Sequence, residues 1–276
     1  MAVDKGKQFE YAIMIAAYSR LAPPLTREIQ NAFDDIMKKT NNSSVISDDV
    51  KKAANLMIDK IQPYGDRERF YKSFKQLGGG IGGGGEPKTD VLFIKGGVKY
   101  KCSMKWGDKY QLSSSGISKT SEVLTKVLKL VSTSSGLSKS TTEDIALFIT
   151  ELENSLGSLP KKGEQSIMKS ALDANQHLKI KFEQILGSRK SPLVADAYKL
   201  FKDKVVEESL TGKLLFGKDN DKSANYILNE KELKPIDNTL VKSISDKTYV
   251  RLRLKGRGKT SYGVRLNELV VTIEPK

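Results

Sequence analysis

Apolar residues recur at helical spacing along the first quarter of the chain. Phe9, Ile13 and Ala17, with Ala12 and Ala16 beside them, mark one face of a helix over residues 4–19. Asp4 suits its N-cap, and Pro23-Pro24 stops it. Ile29, Phe33, Ile36 and Met37 mark a second helix over 26–39, capped by Thr26. Ala53, Ala54, Met57, Ile58 and Ile61 mark a third, starting at Ser47 and closed by Pro63 and Gly65. A short charged helix is expected over 66–77. The period then changes. Residues 78–85 read GGGIGGGG, which holds regular structure only at high entropic cost. Two strand-like runs, 90–94 and 98–104, are joined by Gly96-Gly97, a hairpin signature. Residues 109–113 suit a third short strand. Helical spacing returns over 118–131, 141–156, 161–186 and 193–206. Strand patterning resumes from Tyr226, clearest at 249–254 and 269–273. No internal repeat is visible. These blocks predict an α/β fold: a small mixed β-sheet flanked by helices, a helical insertion and a β-rich basic C-terminal region. The segments fall at 1–116, 117–216 and 217–276, expected to pack as one unit.

Charge sharpens the picture. The 276 residues carry 47 Lys+Arg against 33 Asp+Glu, a formal net charge of +14. With a pI near 9.5, such a surplus favours a polyanionic partner, most often nucleic acid; a solubilising lysine surface is the plainer alternative. The longest apolar run, residues 11–18, falls well short of the roughly 18 residues a membrane helix needs. It also lacks a signal-peptide cleavage site. No membrane association and a cytoplasmic location are therefore expected. The single cysteine, Cys102, excludes an internal disulfide and a cysteine-based zinc cluster. The single histidine, His177, excludes multi-histidine metal sites. Any metal must be hard and oxygen-ligated.

The Gly-rich tract is either a flexible connector or a backbone that passes close to a phosphate. It is not a Walker loop: Gly258-Lys259-Thr260 supplies the second half of that pattern, but the position of its first glycine is Arg253. Near the C-terminus, residues 247–265 hold seven basic residues and no acidic one. Tyr249, Arg251, Arg253 and Lys255 alternate with Val250, Leu252 and Leu254, so they share one strand face. A solvated edge strand explains this blandly. Phosphate or groove contacts by Arg251, Arg253, Lys255, Arg257 and Lys259 explain it better. Lys101 and Lys109, with Lys95, Lys99, Lys105 and Lys119, add a second basic stretch interrupted only by Asp108.

One constellation carries chemistry. Glu86-Pro87-Lys88-Thr89-Asp90 opens a strand, and thirteen residues after Asp90 comes Ser103-Met104-Lys105 at the end of the next. Hairpin geometry can bring Asp90 and Lys105 together at one end of the sheet. A carboxylate and a lysine so placed suit metal-assisted phosphodiester hydrolysis. A surface Asp–Lys pair of little energetic weight is the bland reading.

The order Pro87-x-x-Asp90 followed by Ser103-x-Lys105 resembles the PD-(D/E)XK nuclease superfamily, which includes many type II restriction endonucleases. Gly6-Lys7-Gln8-Phe9-Glu10 is similar to the G-x-x-x-E pattern on the first helix of that fold, and Gln111 follows the lysine strand as in several members. The likeness covers residues 4–115. It implies a restriction-endonuclease-like core within 1–116 and a Mg²⁺-dependent DNA endonuclease, with Mn²⁺ able to substitute. Asp90 would be the main metal ligand, assisted by Glu10 and Glu86. Lys105 would serve the attacking water, and Gln111 would orient water or phosphate. The departure is Ser103, which stands where the family has an acid and is a poor metal ligand. The implied partner is double-stranded DNA, and cutting both strands is compatible with a homodimer. The setting would be prokaryotic or phage-encoded, virion association included. A non-catalytic DNA-binding protein on a degraded nuclease fold, serving protection or packaging, is the alternative.

Overall fold

The computed structural model describes residues 5–77, 87–106, 110–111, 117–134, 137–157, 195–260 and 263–275. In chain order the elements are α1 (Lys5–Tyr18), α2 (Arg27–Lys39), α3 (Asp48–Ile61), α4 (Arg67–Lys72), β1 (Lys75–Gln76), β2 (Val91–Lys95), β3 (Val98–Met104), β4 (Tyr110–Gln111), α5 (Ile117–Ser132) and α6 (Lys139–Gly157). Then follow α7 (Ala195–Thr211), α8 (Lys213–Phe216), β5 (Tyr226–Leu228), β6 (Leu233–Pro235), α9 (Asn238–Asp246), β7 (Thr248–Thr260) and β8 (Gly263–Pro275). The helix expected over 161–186, and His177 with it, lies outside the described residues.

The chain forms two compact units: residues 1–109 with 210–237, and 110–209 with 238–276. The division follows contacts rather than the sequence order anticipated above, because 210–237 returns to the N-terminal unit. That unit is mixed α/β. Its five-stranded sheet runs β1-β2-β3-β5-β6. All steps are antiparallel except β3–β5, which is parallel, with Ser103 opposite Ile227. Gly96 and Gly97 turn the β2–β3 hairpin at φ 57° and 78°, the left-handed geometry that a two-residue loop needs.

Helices flank this sheet. α1 buries Phe9, Ala12, Ile13, Ala16 and Ala17. α1 packs against α3, which buries Val50, Ala54, Met57 and Ile58. Thr26 caps α2 by accepting a 3.4 Å bond from Ile29 N. Val91, Phe93, Cys102 and Met104 join the helices in one core, as strand alternation requires of residues on one face. An aromatic chain crosses it: Phe74 stacks on Phe93 at 4.9 Å, Phe93 on Tyr100 at 5.0 Å, and Tyr100 meets Tyr226 at 4.5 Å.

The segment read as a helix over 66–77 is divided. α4 ends at Lys72, and Lys75–Gln76 becomes the edge strand β1. Ser73 makes the break: its hydroxyl caps Phe70 O at 2.7 Å and accepts from Ile94 N at 2.8 Å.

In the second unit, β4, β8 and β7 form a three-stranded antiparallel sheet. α5 and α6 pack together, burying Val123, Leu124, Val127, Leu128, Val131, Ile145 and Phe148. α9, in a region read above as strand, hydrogen-bonds to α7 through Ser245 Oγ and Asp203. Among the described residues no helix is long and apolar enough to cross a membrane.

Candidate active site at the end of the mixed sheet

Asp90 sits just before β2 and is fastened by its backbone on both sides. Its N–H donates to Cys102 O at 2.9 Å, and its carbonyl accepts from Leu77 N at 2.9 Å. The preceding turn is held from far along the chain: Lys222 O accepts from Lys88 N at 2.9 Å and Thr89 N at 3.1 Å. The carboxylate accepts a 2.7 Å bond from Met104 N. Lys105 follows directly, its own N–H tied to Leu228 O at 3.1 Å. The hairpin register therefore brings the acid and the lysine to one end of the sheet.

α1 delivers the third group. Phe9 meets Trp106 edge-on at 5.5 Å, which docks the start of the helix beside the end of β3. Trp106 is partly buried against the core. Glu10, one residue beyond Phe9, is 3% exposed. Its carboxylate accepts bonds from Lys7 Nζ at 2.8 and 2.7 Å on its two oxygens, and a further bond from Gln76 Nε2.

These charges act on one another. Asp90 keeps a partly open face, yet the surroundings of its carboxyl are poor in water. Burial pushes its pKa up to about 7; the Lys105 ammonium pulls it down and the Glu10 carboxylate pushes it up. The Met104 N–H and the Lys7 ammonium pull it down further. Two hydroxyls nearby, Ser103 Oγ and Thr89 Oγ1, are buried and have no hydrogen-bond partner among the described residues. Such groups are costly unless something fills them.

The Asp90 and Glu10 carboxylates offer hard oxygen donors. That suits Mg²⁺, which keeps several waters and takes one or two carboxylates. Among the described residues no group of three or more His, Cys, Asp or Glu converges as a metal cluster. Glu86 lies outside the described residues, as does Lys109. Ser103 is 1% exposed on the strand face it shares with Lys101 and Lys105. Gln111 belongs to the other unit, in β4 opposite Thr272.

Of the basic residues singled out above, Lys101 points inward. Its ammonium donates to Lys218 O at 3.1 Å and Asn220 O at 3.0 Å, and burial lowers its pKa. That charge serves the 217–223 loop, because a buried ammonium needs acceptors. Arg251, Arg253 and Lys255 occupy alternate positions of β7, opposite Thr272, Val270 and Glu268. Arg257 and Lys259 lie beyond the register shift at Lys255/Gly256. Cys102 is buried, its thiol pushed up by desolvation, as expected for a core residue.

Lys7, Gln76 and the Lys222 carbonyl were not foreseen. Only Lys7 left a trace in the sequence, as a cation three residues before Glu10 in a helix. The loop behind Lys222 depends on Gly212. It adopts φ +64°, and a Cβ there would lie 2.6 Å from Lys88 Cγ and 3.1 Å from Phe216 Cδ2. Gly212→Ala is expected to destabilise the protein by about 1–2 kcal/mol. Chemical denaturation checks this; an unchanged midpoint would show that the turn relaxes freely.

No family model, curated protein or solved structure matches the chain.

Proposed function

We propose that this protein is a Mg²⁺-dependent DNA endonuclease hydrolysing phosphodiester bonds, with a core of the PD-(D/E)XK kind. The observation that carries this reading is the hairpin register: Val91 lies opposite Cys102 and the Asp90 carboxylate accepts from Met104 N, so the acid and Lys105 stand at one end of a mixed sheet, where the Lys105 ammonium and the Glu10 carboxylate act on Asp90 in opposite directions. Asp90 and Glu10 would hold the cation, with Mn²⁺ as an alternative. When bound, it neutralises the scissile phosphate and acidifies a water. Lys105 orients the attacking water and donates to the phosphate oxygen where charge builds. The Ser103 hydroxyl offers a further hydrogen bond to water at the site. Gln111 lies in the other unit and has no role in this reading. Arg251, Arg253, Lys255, Arg257 and Lys259 bind the DNA backbone, and a homodimer would cut both strands.

A non-catalytic DNA-binding protein is the second reading. It is favoured by Ser103 standing in place of an acid and by the formal net charge of +14.

Supercoiled plasmid separates the two. Nicked or linear product is expected with Mg²⁺ and none with EDTA. DNA retarded on a gel but uncut in Mg²⁺ and Mn²⁺, with an affinity that falls with salt, would establish the binding protein instead.

A further inference from the structure

Glu10 is the most deeply buried carboxylate of the candidate site, its side chain 4% exposed. Its oxygens already accept three hydrogen bonds, two from the Lys7 ammonium and one from Gln76. A carboxylate offers about four lone-pair sites, so one remains, on Oε2. That same oxygen holds Lys7 Nζ at 2.7 Å. A divalent cation reaching it would lie against an ammonium, and like charges at such separations repel strongly.

The two partners differ in their freedom. Glu10 sits mid-helix in the core and cannot follow a ligand outward. Lys7 is 27% exposed and sits in the first turn of α1 on a flexible stem. A second seat lies close by: the Tyr11 ring is 5.3 Å from Lys7 Nζ, within reach of a cation–π contact.

We propose that Lys7 is a built-in counter-ion that competes with a divalent cation for Glu10. It neutralises the buried carboxylate when no metal is bound and must leave Glu10 for the cation to enter. The inference rests on the reading of Glu10 and Asp90 as metal ligands. It makes Lys7 a residue that sets the cation concentration at which the site loads. It predicts no contact between Lys7 and DNA.

The test measures Mg²⁺ binding to the full chain by calorimetry and by the thermal shift Mg²⁺ produces, without DNA. Lys7→Gln removes the competing charge and is expected to tighten Mg²⁺ binding by about tenfold or more. Lys7→Arg keeps the charge in a bidentate fork that matches a carboxylate better, so binding should weaken below wild type. Lys5→Gln, which removes an exposed ammonium paired with Asp49, should leave affinity unchanged. Circular dichroism establishes which variants are folded. If Lys7→Gln does not fold, Lys7→Arg decides alone: weakened binding supports the proposal and unchanged binding overturns it. In a folded Lys7→Gln, unchanged or weaker Mg²⁺ affinity also overturns it. Failure of the wild type and every variant to bind Mg²⁺ or Mn²⁺ would instead reject the metal-site reading on which it stands.

Discussion

Asp90→Ala and Lys105→Ala are each expected to reduce Mg²⁺-dependent plasmid cleavage by at least about a hundredfold while leaving DNA retardation on gels nearly intact. The two changes act on different parts of the chemistry. Asp90→Ala removes one carboxylate of the site and leaves Glu10 as the remaining acid of the described pair. Lys105→Ala removes the positive charge available where the transition state becomes more negative, and losing one such group costs about 10²–10³ in rate. Neither change should unfold the protein. Asp90 is anchored through its main chain to Leu77 and Cys102, and Lys105 through its own N–H to Leu228. Affinity for DNA should persist because phosphate contacts set most of it, and the basic positions of β7 are untouched. If both variants cut at the unmodified rate, the assignment of this site is wrong.

Asp90→Asn is expected to stabilise the protein above neutral pH and to leave it unchanged near pH 4. Burial pushes the Asp90 carboxyl up from its ordinary 3.8 to about 7 in the folded chain. The folded state therefore retains a proton that the unfolded state has already lost between those two values. Stability contributed by this proton is present below pH 4, declines as pH rises, and is gone above 7. The full shift would amount to about 4 kcal/mol. Asp90 is partly open to solvent, so about 2 kcal/mol is the realistic size. Asparagine keeps an acceptor for Met104 N–H but carries no charge, so the variant should lack this slope. Denaturant titrations of both proteins at pH 4, 6 and 8 test it. A stability difference that is flat across pH, or that grows toward acid, would show that Asp90 is not held in a desolvated setting.

The N-terminal helices and the central hairpin were legible because their signals are local. Phe9 with Ile13, and Ile29 with Ile36, repeat at helical spacing, and Gly96-Gly97 announces its turn. Position along that hairpin also puts Asp90 and Lys105 at the same end. The site around them was less legible. Gln76 reaches Glu10 from a two-residue strand too short to have a period, inside a run whose Phe70 and Phe74 imitate a helix. The Lys222 carbonyl holds the Lys88–Thr89 turn from more than 130 residues away in sequence, where no spacing rule operates. Lys101 is a different case. A lysine's charge predicts exposure, whereas this one satisfies the carbonyls of a loop that returns late in the chain. α9 was missed because Leu240, Val241 and Ile244 are too few to outweigh the strand-rich sequence around them.

The parallel pairing of β3 with β5 imposes an order of events on biosynthesis. Cys102, Ser103 and Met104 leave the ribosome long before Tyr226, Ile227 and Leu228, their neighbours in the sheet. Until those later residues emerge, β3 is a bare edge able to recruit a foreign strand. The turn before Asp90 meanwhile lacks the carbonyl that holds it. Closing so long a loop is slow and entropically costly. The turn that holds Asp90 and the full N-terminal sheet therefore form only once residues 222–228 have been made. An incomplete product would carry the acid and the lysine without the scaffold that aligns them.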